Sequence, residues 1–94
     1  MTNIKHEKSE NKGQFTLIIE NKEIGLMTYS LSGNQKMIIE HTEVSPDYKG
    51  EGLGEKLVYE AVDYARKEKL KISPHCGFAK RIFTKNEEIQ DVIT

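Results

Sequence analysis

The first half of the chain alternates apolar and polar residues, which is the period of a β-strand. Three segments show this pattern and predict three strands joined by tight turns, namely residues 14–21, 24–32 and 36–45. In the second segment, alternation places Ile24 and Leu26 on one face and Met27 on the other. Residues 1–13 are mostly polar, and we expect them either to fray or to form a short edge strand.

The second half begins with the spacing of an amphipathic helix. From Leu53 onward the apolar residues recur three or four positions apart, as on one buried helical face. These residues are Leu53, Leu57, Val58, Ala61, Val62 and Ala65. A short strand around Ile72 should end at Pro74, and a short helix is expected over residues 77–85.

This order of elements predicts one mixed α/β domain, of the α+β class, over residues 1–94. An antiparallel meander comes first, a β-α-β unit with two parallel strands follows, and a short helix comes last. A chain of 94 residues forms a single domain with a thin core.

Composition narrows the classes of partner and compartment. The chain has 14 Lys and Arg against 15 Asp and Glu, a net charge of −1, so nothing draws it as a whole to nucleic acid or anionic membranes. It has neither an apolar run of membrane-spanning length nor the apolar core of a signal peptide. With one cysteine, these features predict a cytoplasmic protein. A thin sheet with an exposed edge leaves both a monomer and a weak dimer open.

Three glycines, Gly50, Gly52 and Gly54, stand immediately before the long helix. The first turn of a helix has four N–H groups without intrahelical partners and carries the positive end of the helix dipole. Glycine lets an anion approach these amides because it has no Cβ. The spacing alone leaves two interpretations open, a phosphate site and a simple connector.

The residues around this turn resemble the acetyl-coenzyme A signature of the GCN5-related N-acetyltransferases, Arg/Gln-x-x-Gly-x-Gly/Ala. Lys49, Gly52 and Gly54 take its positions, with Lys in place of Arg or Gln. Many members also carry Asn-x-x-Ala-x-x-x-Tyr-x-Lys after the next strand. Here the same spacing gives Cys76, Ala79, Phe83 and Lys85, so Cys replaces Asn and Phe replaces Tyr.

A closer resemblance is to a subfamily of short, single-domain acetyltransferase-like proteins. Four segments carry it, with the letters HTEV, KGEGLG, DYAR and PHCGF, at residues 41–44, 49–54, 63–66 and 74–78. The likeness spans about residues 15–93 and implies acetyl-CoA or CoA as co-substrate, without a metal. It implies a diphosphate on the turn and a pantetheine arm along the third predicted strand, and hence these cofactor-binding residues: Glu43, Val44, Ser45, Lys49, Gly50, Glu51, Gly52, Leu53, Gly54 and Glu55.

Two residues are candidates for the chemistry of transfer to an amine. His41 is a candidate general base, since its unperturbed pKa lies near neutrality, or a histidine that only fills a polar position in the sheet. Cys76 has three open roles: nucleophile, general acid for the departing CoA thiolate, or inert core thiol. Two arrangements are open for Cys76: its neighbour His75 lowers its pKa, or it faces His41 across the sheet, since neighbouring residues of an extended segment point apart. Phe83 has no hydroxyl, which leaves Tyr48 as a weaker substitute for the usual Tyr acid.

One departure from the family pattern concerns the acceptor. Family members typically have a helical segment between their first two strands that helps form the acceptor site, and the predicted turn at residues 21–23 leaves no room for it. The sequence therefore supports two functions: an N-acetyltransferase acting on an unknown amine, and a non-catalytic CoA-binding sensor or partner module. A generic nucleotide-phosphate binder is a third and weaker interpretation.

Overall fold

A five-stranded sheet with two helices forms the domain, and the computed structural model describes residues 2–33, 35–48 and 50–94. The strands are β1 (Thr2–Lys8), β2 (Lys12–Ile19), β3 (Lys22–Ser32), β4 (Lys36–Val44) and β5 (Lys71–Pro74). The helices are α1 (Leu53–Glu68) and α2 (Gly77–Lys85), with short 3₁₀ helices at Pro46–Tyr48 and Glu87–Val92. Neighbouring strands follow chain order and are antiparallel except for the parallel pair β4–β5.

The predicted fold class is confirmed. Of the two expectations for residues 1–13, the edge strand is the one that forms, since Thr2–Lys8 is paired along its length with β2. The apolar pattern missed β1 because only Ile4 in it is partly buried and the remaining side chains are exposed.

The core lies between one face of the sheet and the two helices. All six apolar residues predicted for the buried face of α1 are at most 5% exposed. They pack against inward-facing residues of β2 to β5, among which Leu17, Met27, Ile39 and Ile72 are fully buried. Lys69 ends the helix in the left-handed conformation, and its N–H donates to carbonyls of the last turn.

A β-bulge in β3 corrects the face assigned to Ile24. Leu17 pairs with Gly25 while Ile18 pairs with Glu23, so Ile24 is the extra residue between two pairs. The extra residue shifts the alternation by one. Ile24 is therefore buried on the same face as Met27, at 6% exposure.

A cluster of aromatic rings, consisting of His6, Phe15, Tyr29 and Tyr64, joins β1 to the core. The imidazole of His6 stacks on Phe15 with ring centroids 4.2 Å apart, and its Nε2 lies 2.6 Å from the hydroxyl oxygen of Tyr29. Tyr64 of α1 approaches the His6 ring edge-on at 4.7 Å. His6 thus contacts the rings of the core on one side, while much of its side chain stays exposed.

Burial sets the protonation of this aromatic cluster. Desolvation, followed by the charge of Lys8, lowers the pKa of His6 below its ordinary value. Desolvation, with the nearby Tyr64, raises the pKa of Tyr29. Both residues are therefore held neutral near pH 7, which suits a hydrogen bond between them.

The connection between the first two strands is a tight turn. Ser9 donates its N–H to the carbonyl of Lys12 at 2.9 Å, and no helix intervenes between β1 and β2. The turn that the resemblance led us to expect at residues 21–23, between the first two strands, therefore lies at residues 9–11. Glu20 and Asn21 instead form the two-residue hairpin turn between β2 and β3, with positive φ. Since both described helices pack on the core face, the opposite face of the sheet has no helical layer.

Candidate functional site

A cleft of about 510 Å³ opens between the end of β4, the glycine turn and α2. Seven of the predicted cofactor-binding residues line it: Glu43, Val44, Gly50, Gly52, Leu53, Gly54 and Glu55. Lys49 lies outside the described residues. Ser45 and Glu51 are not in the wall, and the N–H of Ser45 donates to the carbonyl of Ile24 at 2.7 Å.

Two of the three glycines are required by backbone conformation. Gly50 has φ +86° and Gly52 has φ +73°, in the left-handed region that other residues rarely adopt. Gly52 is also the N-cap of α1, where no side chain caps the helix. The amides of the first turn therefore begin directly at the cleft, with no side chain from the cap in the way.

The third glycine is required by packing. A Cβ on Gly54 would lie 2.5 Å from Cζ of Phe78, closer than real Cβ contacts. The missing side chain lets the ring of Phe78 rest against the first turn of α1 and form the wall of the cleft on the α2 side. The three glycines thus have two functions, a left-handed turn and a close helix–helix contact, and a plain connector needs neither.

Among the residues that the structure describes, the end of β4 has a strand partner on one side only. Pairing with β5 stops at Ile39 and Pro74, followed by one bond from the N–H of His75 to the carbonyl of Ile39. Residues 42–44 are paired with β3, and their other side borders the cleft. A strand edge of this kind can hydrogen-bond to an extended ligand arm.

A second bulge decides where His41 lies. Thr28 pairs with His41 and Tyr29 with Ile39, so Glu40 is the extra residue. Simple alternation from Met37 and Ile39 would put His41 on the core face, and the bulge reverses this. His41 instead lies on the helix-free face, 59% exposed, with Nε2 3.2 Å from Oε1 of Glu43. The arrangement in which it faces Cys76 is wrong.

Cys76 is the N-cap of α2. Its Sγ accepts the N–H of Ala79 at 3.4 Å and lies 3.4 Å from the hydroxyl oxygen of Thr42. Thr42 is the residue that the bulge turns toward Cys76 in place of His41, and it also lines the cleft. Cys76 itself is half-buried behind Thr42, while His75 contacts the hydroxyl of Ser73.

The prediction missed several wall residues as members of the site: Thr42, Pro46, Phe78, Ile82 and Lys85, with Tyr48 named only as a substitute acid. Phe78, Ile82 and Lys85 follow each other at intervals of four and three in α2, which is one helical face. That spacing was visible in the sequence, but nothing in it indicated that this face borders a cleft. Thr42 could not be recognised without the bulge.

Among the described residues, the charged groups of the wall are Glu43, Glu55 and Lys85. The side-chain amide of Asn86 donates to Oε2 of Glu55 at 3.3 Å and to the carbonyl of Ile82 at 2.8 Å. Within residues 2–33, 35–48 and 50–94, no three His, Cys, Asp or Glu side chains are grouped as a metal site would need. None of the described helices is long and apolar enough to cross a bilayer.

Comparison with known proteins agrees with this architecture. A family model of the GCN5-related N-acetyl-transferases matches residues 14–92. The chain belongs to this family. A search of curated proteins finds no significant match. The solution structure of a GCN5-like protein from Staphylococcus aureus, assigned as an N-acetyltransferase, is 37% identical, with a TM-score of 0.74 over 100% of this chain and 91% of that one.

More distant members share the fold. The ribosomal-protein-S18-alanine N-acetyltransferase of Escherichia coli is 18% identical, with a TM-score of 0.71 over 83% of this chain and 53% of that one. A Bacillus anthracis protein assigned as a streptothricin acetyltransferase, in complex with acetyl coenzyme A, is 21% identical, with a TM-score of 0.66 over 83% and 47%. This family member therefore spans about half the length of those relatives.

Proposed function

We propose that the protein transfers an acetyl group from acetyl-CoA to an amine acceptor. The observation that carries the proposal is the left-handed glycine turn at the start of α1, opening into a cleft beside an unpaired strand edge. Membership of an N-acetyltransferase family supports the reaction class. The Bacillus anthracis relative in complex with acetyl coenzyme A supports the choice of donor.

The residues present fit the donor molecule. The amides of residues 50–55 would hold the diphosphate, since a Cβ-free turn at a helix N-terminus attracts anions. The pantetheine arm would extend along Glu43–Ser45, where β4 lacks a second strand. Lys49 remains a proposed contact, by its position in the family signature.

The chemistry is a direct acyl transfer. The amine nitrogen attacks the thioester carbonyl carbon, the carbon–sulfur bond breaks, and CoA leaves as a thiolate that takes up a proton. A backbone N–H at the end of β4 would stabilise the charge that develops on the carbonyl oxygen. The amine must lose a proton, so a base is required.

His41 is the proposed base. Oε1 of Glu43 lies 3.2 Å from its Nε2 and would orient the imidazole toward the acceptor. The acceptor would then approach from the helix-free face of the sheet. Replacing His41 with Gln should lower the transfer rate while acetyl-CoA affinity stays the same.

Cys76 is proposed to act at the thioester end of the cleft as the acid that protonates CoA thiolate in direct transfer. The alternative is a two-step transfer, in which the Cys76 thiolate takes the acetyl group and releases CoA, and the amine then attacks acetyl-Cys76 and releases the cysteine thiolate. Thr42 lies between its sulfur and the cleft, so a change at Thr42 should affect this chemistry. The matched pair is Thr42→Val, which removes the hydroxyl, and Thr42→Ser, which keeps it. A Cys76→Ala protein with full transfer activity would exclude both roles.

A second candidate function is a CoA-binding module without catalysis. The specific observation in its favour is the tight turn at residues 9–11, which replaces the segment that helps form the acceptor site in relatives. Phe83 also favours the module without catalysis, because its ring is 4% exposed in the core and has no hydroxyl to act as an acid.

Titration with acetyl-CoA and with CoA, followed by amide NMR, tests the shared part of both functions. We expect shifts in residues 50–56 and 42–44, and shifts confined to other regions would overturn both. Mass spectrometry after incubation with acetyl-CoA and a panel of amines then separates them. Acetylated amine, or acetylated Cys76, supports the enzyme, while binding with no acetyl transfer supports the module.

A further inference from the structure

We infer that Lys85 and Arg81 of α2 bind the ribose 3′-phosphate of CoA, so that the protein distinguishes CoA from 3′-dephospho-CoA. This inference rests on the proposed function, since it names which part of the donor a further set of residues recognises.

The contacts made by the two ends of α2 define the orientation of the cleft. At its N-terminal end, Cys76 contacts Thr42 on β4. At its C-terminal end, Asn86 directly after α2 contacts Glu55 in the first turn of α1. A donor with its diphosphate on that first turn and its thioester near Thr42 therefore places its adenosine 3′-phosphate group beyond the diphosphate, toward the C-terminal end of α2.

Lys85 is the cation available at that end. It lines the cleft as the only positive charge in the described part of its wall, beside the carboxylates Glu43 and Glu55. Among the described residues, Lys85 forms no ion pair, while the amide of Asn86 contacts the carboxylate of Glu55. The amine of Lys85 is thus not neutralised by the adjacent acid.

A phosphate bound near the C-terminal end of α2 needs a cationic side chain such as Lys85. The last turn of α2 carries partial negative charge, and its carbonyls repel an anion. The diphosphate can use the amides of α1, but a phosphate near the end of α2 has only side-chain cations as partners. A phosphate monoester carries about −1.5 to −2 charges at pH 7, so the requirement is strong.

Arg81 supplies the second cation. Its guanidinium lies 5.7 Å from the ring centre of Phe78, which is part of the cleft wall, and it is one helical turn before Lys85. Within the described part of the chain, Arg81 forms no ion pair either. Its planar fork of donors matches phosphate oxygens, and the ring of Phe78 orients it.

The same helix provides a matched control in Lys80. Its side chain lines a separate groove with Pro74, Phe83 and Thr84, away from the cleft. Replacement of Lys80 removes the same charge from the same helix, so it reproduces any general effect of net charge. Only a local contact can make Lys85 and Arg81 differ from it.

Isothermal titration of the full chain with CoA and with 3′-dephospho-CoA tests the inference in wild type, Lys85→Gln, Arg81→Gln and Lys80→Gln. We expect wild type to bind CoA roughly tenfold more tightly than 3′-dephospho-CoA, as for a charge-assisted hydrogen bond. Lys85→Gln should remove most of this ratio and Arg81→Gln a smaller part. Neither should change affinity for 3′-dephospho-CoA, and Lys80→Gln should retain the wild-type ratio.

Equal wild-type affinity for the two ligands would overturn the inference and leave the proposed function intact. So would a Lys85→Gln protein that binds both ligands more weakly by the same factor. Wild type that binds neither ligand would overturn the proposed function, and the inference with it.

Discussion

The cleft and the aromatic cluster at β1 are built from similar residues, but the cleft leaves space open and the aromatic cluster fills it. Each depends on a glycine that lets a ring come close: Gly54 accommodates Phe78, and Gly13 accommodates Tyr29, whose phenol would clash with a Cβ there. In the aromatic cluster the ring reaches a partner, His6, and the space is filled. In the cleft the ring only forms a wall, and about 510 Å³ stays open.

This difference separates stability from binding. The aromatic cluster has buried rings and a satisfied hydrogen bond, so substitutions there should act on folding. The cleft has left-handed glycines, helix amides and an unpaired strand edge. These features lower the stability of the fold rather than raise it, and their use is to bind a ligand. Substitutions there should act on donor binding, with smaller effects on folding.

The largest expected effect compares one phenylalanine from each region. Phe15→Ala removes a ring that is 2% exposed and should lower the free energy of unfolding by about 3–5 kcal/mol. Phe78→Ala removes a half-buried ring and should cost clearly less stability while weakening acetyl-CoA binding. Urea denaturation and calorimetric titration measure the two effects, and equal losses of stability would contradict the comparison.

A matched pair of glycines tests the glycine turn. Gly52 and Gly33 have φ of +73° and +63°, and a Cβ on either meets nothing within 4 Å. Alanine at either position should therefore introduce backbone strain and lower the free energy of unfolding by about 1–2 kcal/mol. Only Gly52→Ala should also reduce acetyl-CoA affinity, because only Gly52 begins α1 at the cleft. Reduced affinity in both variants would indicate a general effect of stability.

The hydroxyl of Tyr29 offers a smaller and cleaner change. Tyr29→Phe keeps the ring and removes the partner of His6, so the free energy of unfolding should fall by about 1 kcal/mol. The denaturation midpoint should decrease at constant m-value. Acetyl-CoA affinity at a temperature where both proteins are folded should not change, and a loss of affinity would show that the two regions are coupled.

The smallest expected effect is the pH dependence contributed by His6. Because its folded pKa is lowered, its contribution to stability is complete above its ordinary pKa of 6.5 and is lost as the pH falls through the lowered value. His6→Gln should therefore flatten the stability profile below pH 6.5. The contribution of His6 to stability is small, because solvent screens the charge on the exposed side of its imidazole. An unchanged slope in the variant would exclude His6 as its source.

Much of the fold could be predicted from the chain because periodicity reports local structure. The helical face from Leu53 to Ala65 and the parallel pair around Ile72 follow from spacing and from the rules for β-α-β crossovers. The glycine turn was recognisable because phosphate cradles have a known local form. Location in the cytoplasm and oligomeric state stay predictions.

Pairing between residues that are distant in the chain could not be predicted from the hydrophobic pattern. β1 has no apolar alternation, and it is a strand because β2 pairs with it and because His6 meets Tyr29. A contact between His41 and Cys76 would require strict alternation along β4. One extra residue, Glu40, reversed that alternation and brought Thr42 to Cys76 instead.

The sequence by itself determined the order of elements, the core face of α1 and the anion-attracting turn, because each follows from interactions between residues close in the chain. Only the tertiary structure decided which face His41 occupies, what Cys76 touches, and that α2 closes one side of the cleft with Phe78 and Lys85. Those outcomes depend on register, and a single bulge can change register without leaving a trace in hydrophobic pattern.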